Sequence, residues 1–147
     1  QELYYQPRTP FVAGFVGANN RVAGSAARVD GEMVELVTTD GLAVRARASG
    51  SVAAGDAVEA FVRPEVIDLA RDAAELPPAA QRFSGRVESL LFDGANSAVL
   101  VREETTRVEI RIALPQTGRF VDLRVDETIA FGFDPHRAIC FAGERSP

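Results

Sequence analysis

Gly24…Asp30-Gly31…Val34-Glu35-Leu36-Val37…Val62-Arg63-Pro64-Glu65 and Gly85…Asp93-Gly94…Ala98-Val99-Leu100-Val101…Phe133-Asp134-Pro135-His136 carry similar residues in the same order at nearly equal spacing. Self-similarity of this kind is the mark of a repeated supersecondary unit, so the chain reads as two successive, duplicated small β units. Within the first, apolar runs over Val22–Val29, Met33–Val37, Leu42–Ala46 and Val58–Val62 are separated by Asp30-Gly31, Asp40-Gly41 and Gly55-Asp56. An Asp-Gly pair between alternating apolar runs favours a hairpin, because glycine adopts positive φ without steric cost. Within the second, the runs are Phe83–Phe92, Ala98–Arg102, Val108–Ala113, Thr128–Phe133 and Ala138–Phe141. Short strands with long connections suit OB-like barrels, so the expected fold is all-β: one or two OB-like barrels built from units at about 21–65 and 83–141.

Outward from these units, helix signal is confined to the first residues and to the stretch before residue 80. Thr9 can cap a short N-terminal helix with Pro10 at its first position, and Phe11 and Phe15 then share one face. The segment Val66–Gln81 contains Leu76-Pro77-Pro78, whose prolines cannot donate to a strand ladder, and reads as an internal connection.

Composition narrows the function classes. Of 147 residues, 46% are hydrophobic and 25% charged, which is ordinary for a globular domain. A chain of this size buries enough surface to fold without disulfides or metal. The longest stretch free of charge, Thr9–Asn20, is far short of the ~20 apolar residues of a spanning helix. Twenty-one acidic against 16 basic residues give a net charge of −5, the wrong sign for the phosphate backbone, so no nucleic acid partner is expected. The chain opens on Gln1 without a signal-peptide pattern and is read as a piece of something longer.

Reactive constellations are sparse. All 16 basic residues are arginine, so a phosphate loop with its lysine cannot be present. His136 and Cys140 are single and lack further ligands; Cys140 between Ile139 and Phe141 reads as a small core residue, and His136 as an exposed turn residue. No catalytic, cofactor-binding or metal residues are therefore assigned, and the chain by itself is expected to be no enzyme. Arg102, Arg107, Arg111, Arg119 and Arg124 interleave with Glu103, Glu104 and Glu109; cross-strand ion pairs are the first reading and a small oxyanion pocket the second.

Two segments then carry a resemblance. Glu2, Tyr4, Pro7, Phe11, Val12, Ala13, Phe15, Gly17 and Asn20 fit the pattern E-x-Y-x-x-P-x-x-x-F-V-A-x-F-x-G-x-x-N, and Arg63-Pro64-Glu65 follows later. Together they resemble ATP-binding subunits of bacterial ABC importers, polyamine or ferric-iron importers among them. In that family the first segment closes the ATPase domain and leads into a C-terminal regulatory domain with a TOBE (transport-associated OB) module. The resemblance implies that residues 1–20 are the end of an ATPase domain and linker and that 21–147 form the regulatory domain. ATP and Mg would belong to the absent ATPase domain, with no cofactor in this piece. The implied partners are a second copy, the ATPase domain of the same chain and the transporter's membrane subunits, at the cytoplasmic face of the plasma membrane. Interface and structural residues would be Phe11, Phe15, Arg63, Pro64 and Glu65. Pro64 is expected to turn the chain out of a strand, and Arg63 and Glu65 to bond backbone or opposite charges near the barrel rim. The alternative is a small-oxyanion-binding OB-type module.

Overall fold

The computed structural model describes residues 19–93, 96–114, 120 and 122–142. The strands are β1 (Asn20–Asp30), β2 (Met33–Val37), β3 (Ala43–Ala48), β4 (Ala57–Val62), β5 (Asp68–Ala70), β6 (Gln81–Asp93), β7 (Asn96–Glu103), β8 (Glu109–Ala113), β9 (Thr128–Phe133) and β10 (Ile139–Ala142). Single-turn 3-10 helices occupy Pro64–Val66, Ala73–Glu75 and Pro135–Arg137. The expected all-β, OB-like class is what is found. The helix read near Thr9, with Phe11 and Phe15, lies outside the described residues.

Two compact units divide the chain. The first comprises the described residues up to Arg63 and from Asp134 onward, and forms a closed barrel in the order β1-β2-β3-β10-β4. The second, Pro64–Phe133, is a five-stranded sheet in the order β5-β9-β6-β7-β8. The trailing strands are thus exchanged relative to two consecutive blocks. β10 pairs with β4 antiparallel and with β3 in parallel, closing the first barrel. β5 pairs with β9 in the second unit. The stretch 66–81, read as a connection alone, contains this strand; three residues, Asp68-Leu69-Ala70, are too few to show a period of two. The first hairpin also differs in register. Asp30 still pairs with Met33, so its two loop residues are Gly31 and Glu32.

The duplication extends to single hydrogen bonds. Pairing shifts between Ala26 and Arg28 in β1, and between Val87 and Ser89 in β6, a bulge at the same place in each unit. Ala26 N–H donates to the Asp56 carbonyl at 2.8 Å and its carbonyl accepts from Gly55 at 2.7 Å; Val87 bonds Glu127 at 2.9 Å and Asp126 at 2.8 Å in the same way. A bulge leaves ladder groups unpaired and sharpens strand twist. Here a turn from elsewhere in the unit takes up those groups. Two residues before each bulge sits a glycine whose missing side chain is needed. A Cβ on Gly24 would lie 2.5 Å from the Val37 carbonyl oxygen, and one on Gly85 2.5 Å from that of Arg102.

Alternation then fills each core. In the first unit Val34, Leu36, Val44, Ala46, Val58 and Cys140 are buried, with Phe61 and Phe141 edge to face at 5.9 Å. In the second, Val87, Val99, Val101, Ile110, Ile112 and Ile129 are buried, and Phe83 stacks on Phe131 and Phe133 at 5.5 Å each. The long connection before β6 is pinned by Arg82, whose guanidinium donates to the carbonyls of Ala73, Leu76, Pro77 and Ala80.

Gly85→Ala is expected to lower stability by ~3 kcal/mol, the upper end of overpacking costs, because the clash is with backbone. Gly31→Ala meets open space and costs only the ~1 kcal/mol of a left-handed backbone at its φ of 61°. Urea denaturation of the two variants distinguishes these losses; equal values would show that the close approach at Gly85 relaxes freely.

Candidate functional site

The paired corner motifs come first. Pro64 is buried and opens the 3-10 helix Pro64–Val66, turning the chain out of β4 as expected. Arg63 and Glu65 are exposed, and among the described residues neither side chain has a hydrogen-bond or ion-pair partner, so the expected charge contacts are not made. The matching corner in the repeat is held differently. Asp134 caps the helix Pro135–Arg137 by accepting from the His136 N–H at 3.0 Å, and its carboxyl also lies 3.1 Å from His136 Nδ1. These contacts, the backbone bond first, hold the Asp134 carboxyl below the usual carboxylate range. His136 is exposed and Cys140 fully buried, so the two do not form a site. Burial pushes the Cys140 thiol up to about 11, leaving it protonated and unreactive near neutrality. Among the described residues no cluster of three or more His, Cys, Asp or Glu side chains gathers around a metal position.

A second feature, absent from the sequence reading, is built on Arg71 at the end of β5. Its Nη2 lies 2.9 Å from Asp122 Oδ1 and its Nε 2.7 Å from Glu127 Oε2, while the guanidinium carbon sits 5.8 Å from the Phe120 ring centroid. The hydrogen bonds from Arg71 hold both carboxyls below their ordinary range, and the two carboxylates raise Arg71. Arg71 thereby ties β5, the shortest strand of the sheet, to the turn that feeds β9.

The third feature is a pocket of about 400 Å³ in the second unit, lined by Gly85, Arg86, Arg102, Glu103, Glu104, Arg107 and Thr128. β6 supplies Gly85 and Arg86, the end of β7 supplies Arg102 and Glu103, and the turn into β8 supplies Glu104 and Arg107. Glu103 is 3% exposed, an unusual burial for a carboxylate. Its Oε1 accepts from the N–H of Thr105 at 3.0 Å, the N–H of Thr106 at 2.7 Å and the Thr106 hydroxyl at 3.0 Å. The buried charge is thus spent on folding the turn. Arg102 is held by Glu88, stands 3.9 Å from Glu109 across the strand pair, and donates through Nη1 to the Arg107 carbonyl at 2.6 Å. A hydrogen bond between Glu88 and Glu109 lowers the first carboxyl and raises the second. The cross-strand ion pairs expected from the Arg/Glu interleaving are therefore present at Arg102. Arg86 was not singled out in the sequence because it reads as an ordinary outward strand position; only its alignment with Ser25 in the repeat marks it.

Residues 60–141 match the TOBE domain family model. The chain belongs to the TOBE domain family. It is similar to the spermidine/putrescine import ATP-binding protein PotA of Rubrobacter xylanophilus, 30% identical over 142 residues, covering 95% of this chain and 33% of that protein. It is likewise similar to spermidine/putrescine import ATP-binding protein PotA 2 of Pseudomonas aeruginosa, 31% identical over 141 residues, covering 91% of this chain and 38% of that one. The chain therefore spans little more than a third of the length of these relatives. Among solved structures it resembles the cytoplasmic molybdate-binding protein ModG in a form with molybdate bound, at a TM-score of 0.72 and 17% identity, covering 85% of this chain and 96% of that one. At that identity the likeness is one of fold.

The Arg71 contacts set a pH dependence with a definite sign. Carboxyls depressed in the folded state stabilise it fully above their unfolded values, where they are ionised in the unfolded chain too, and that stabilisation is lost as pH falls through their lowered folded values. Arg71→Ala should therefore lower the melting temperature at neutral pH and flatten its decline on acidification. Thermal melts from pH 7 down to ~pH 3 check this, and a parallel decline in both proteins would remove Arg71 from the account. Cys140 should resist a thiol reagent at pH 8 in the native chain and react at once in denaturant, as read by absorbance.

Proposed function

We propose that this chain is the C-terminal regulatory domain of the ATP-binding subunit of an ABC importer for a small solute, with a polyamine as the leading candidate. The observation that carries the reading is the family match over 60–141, joined to 30% identity with import ATP-binding proteins across 95% of the chain. The first segment, Glu2 to Asn20, supports it through its likeness to the end of an importer ATPase domain. ATP and Mg belong to the ATPase domain, and this chain supplies no phosphate cradle, since none of its basic residues is a lysine. Its role is coupling through surfaces. A contact made in only one ATPase conformation biases that conformation by its differential free energy, and ~1–3 kcal/mol suffices for regulation. The domain works as a homodimer, beside the ATPase domain and the membrane subunits, at the cytoplasmic face of the plasma membrane.

The coding sequence upstream of Gln1 is expected to encode a glycine-rich phosphate loop ending in Gly-Lys-Ser/Thr; an upstream frame without one overturns the reading. Calorimetry should record no heat when ATP is added to this chain alone, and a micromolar affinity would contradict the assignment. Sedimentation of the intact chain should show self-association that weakens when residues 1–17 are removed.

A further inference from the structure

The internal repeat supplies its own control for the pocket of the second unit. By strand register, Arg86 faces Thr128 as Ser25 faces Ala57, so Arg86 stands where the first unit has Ser25. Arg102 faces Arg86 as Val37 faces Ser25, so Arg102 stands where the first unit has Val37. The turn that follows carries Gly41 at φ 92° in the first unit and Arg107 at φ 63° in the second. Three positions that are Ser, Val and Gly in one copy are all arginine in the other. The first barrel folds without charge there, so the fold does not require these arginines. Arg107 is also a long side chain held in the left-handed region, where its counterpart is glycine, and such strain persists where something other than folding selects it.

The charges are available as well as clustered. Glu103 is occupied by three donors of its own turn, and Arg102 is positioned by Glu88 and the Arg107 carbonyl. Among the described residues the Arg86 and Arg107 side chains have no hydrogen-bond or ion-pair partner, and Glu104 is the one other exposed charge on the lining. At about 400 Å³ the pocket lies in the range of small-molecule sites and is large for a single tetrahedral oxyanion. Planar guanidiniums offer paired donors that fit phosphate and carboxylate oxygens.

We propose that Arg86, Arg102 and Arg107 line a binding site for a small organic polyanion bearing phosphate or carboxylate groups. Arg86 and Arg107 contact the ligand, and Arg102 supports Arg107 through its carbonyl. The site stands on the second unit alone and holds whether or not the parent protein is an importer.

Isothermal titration of the 147-residue chain with pyrophosphate, and separately with citrate, tests the proposal. Saturable binding of at least one is expected, weakening as salt rises. Arg107→Gly, which copies the first unit, should weaken it by roughly tenfold or more while leaving the melting temperature unchanged or higher. Arg86→Ser, the second copy of the first unit, should do the same without touching the turn. A preference for pyrophosphate or for citrate assigns the ligand's acid group. Absence of binding to both anions, or variants that bind as tightly as the parent, overturns the site.

Discussion

Everything in this fold turns on a close approach of backbone to backbone that recurs at the same place in each unit. Gly24 and Gly85 let β1 and β6 press against the carbonyls of Val37 on β2 and Arg102 on β7, at distances no Cβ would allow. The strand then bulges two residues later, at Ala26 and Val87, and continues in its hairpin beyond the bulge. A strand that curls in this way can pair on both sides, with its hairpin partner along one edge and with β4 or β9 along the other. In the first unit this double pairing, completed by β10, closes the barrel and leaves it no open edge.

The bulge has to be satisfied, and the two units do this with different residues in the same geometry. Gly55-Asp56 serves the first and Asp126-Glu127 the second, with Gly55 at φ 94° and Asp126 at φ 71°. Aspartate tolerates the left-handed region better than most side chains. In the second unit the next residue, Glu127, also accepts from Arg71, so the turn that closes the bulge is fastened to β5 as well. Backbone satisfaction and strand pairing are thereby linked through one guanidinium.

The sequence made the β class, the duplication and the major strands legible, because alternation and turn residues act locally. Val34 and Leu36 are buried while Met33, Glu35 and Val37 are less so, as the period of two requires. What it hid depends on distant partners. β5 is three residues long and is a strand only because β9 lies beside it. That β10 closes the first barrel is likewise a matter of pairing, for Ile139–Ala142 would suit an edge of either unit. At the candidate site the Arg/Glu interleaving was visible. The burial of Glu103 was not, since nothing local separates it from Glu104, which remains exposed.

Duplication bears on function because it separates what the fold demands from what one copy has added. Positions that agree between the halves, such as Gly24 with Gly85 and Pro64 with Pro135, sit where backbone geometry or burial leaves little choice. Positions that disagree in chemical character are free of that demand. Ser25, Val37 and Gly41 against Arg86, Arg102 and Arg107 are gathered around one pocket. Two of these arginines, Arg86 and Arg107, have no hydrogen-bond or ion-pair partner among the described residues and keep their donors for an anion. A domain can report on its surroundings through such a spot, because binding there stabilises whichever arrangement of the domain holds the ligand best.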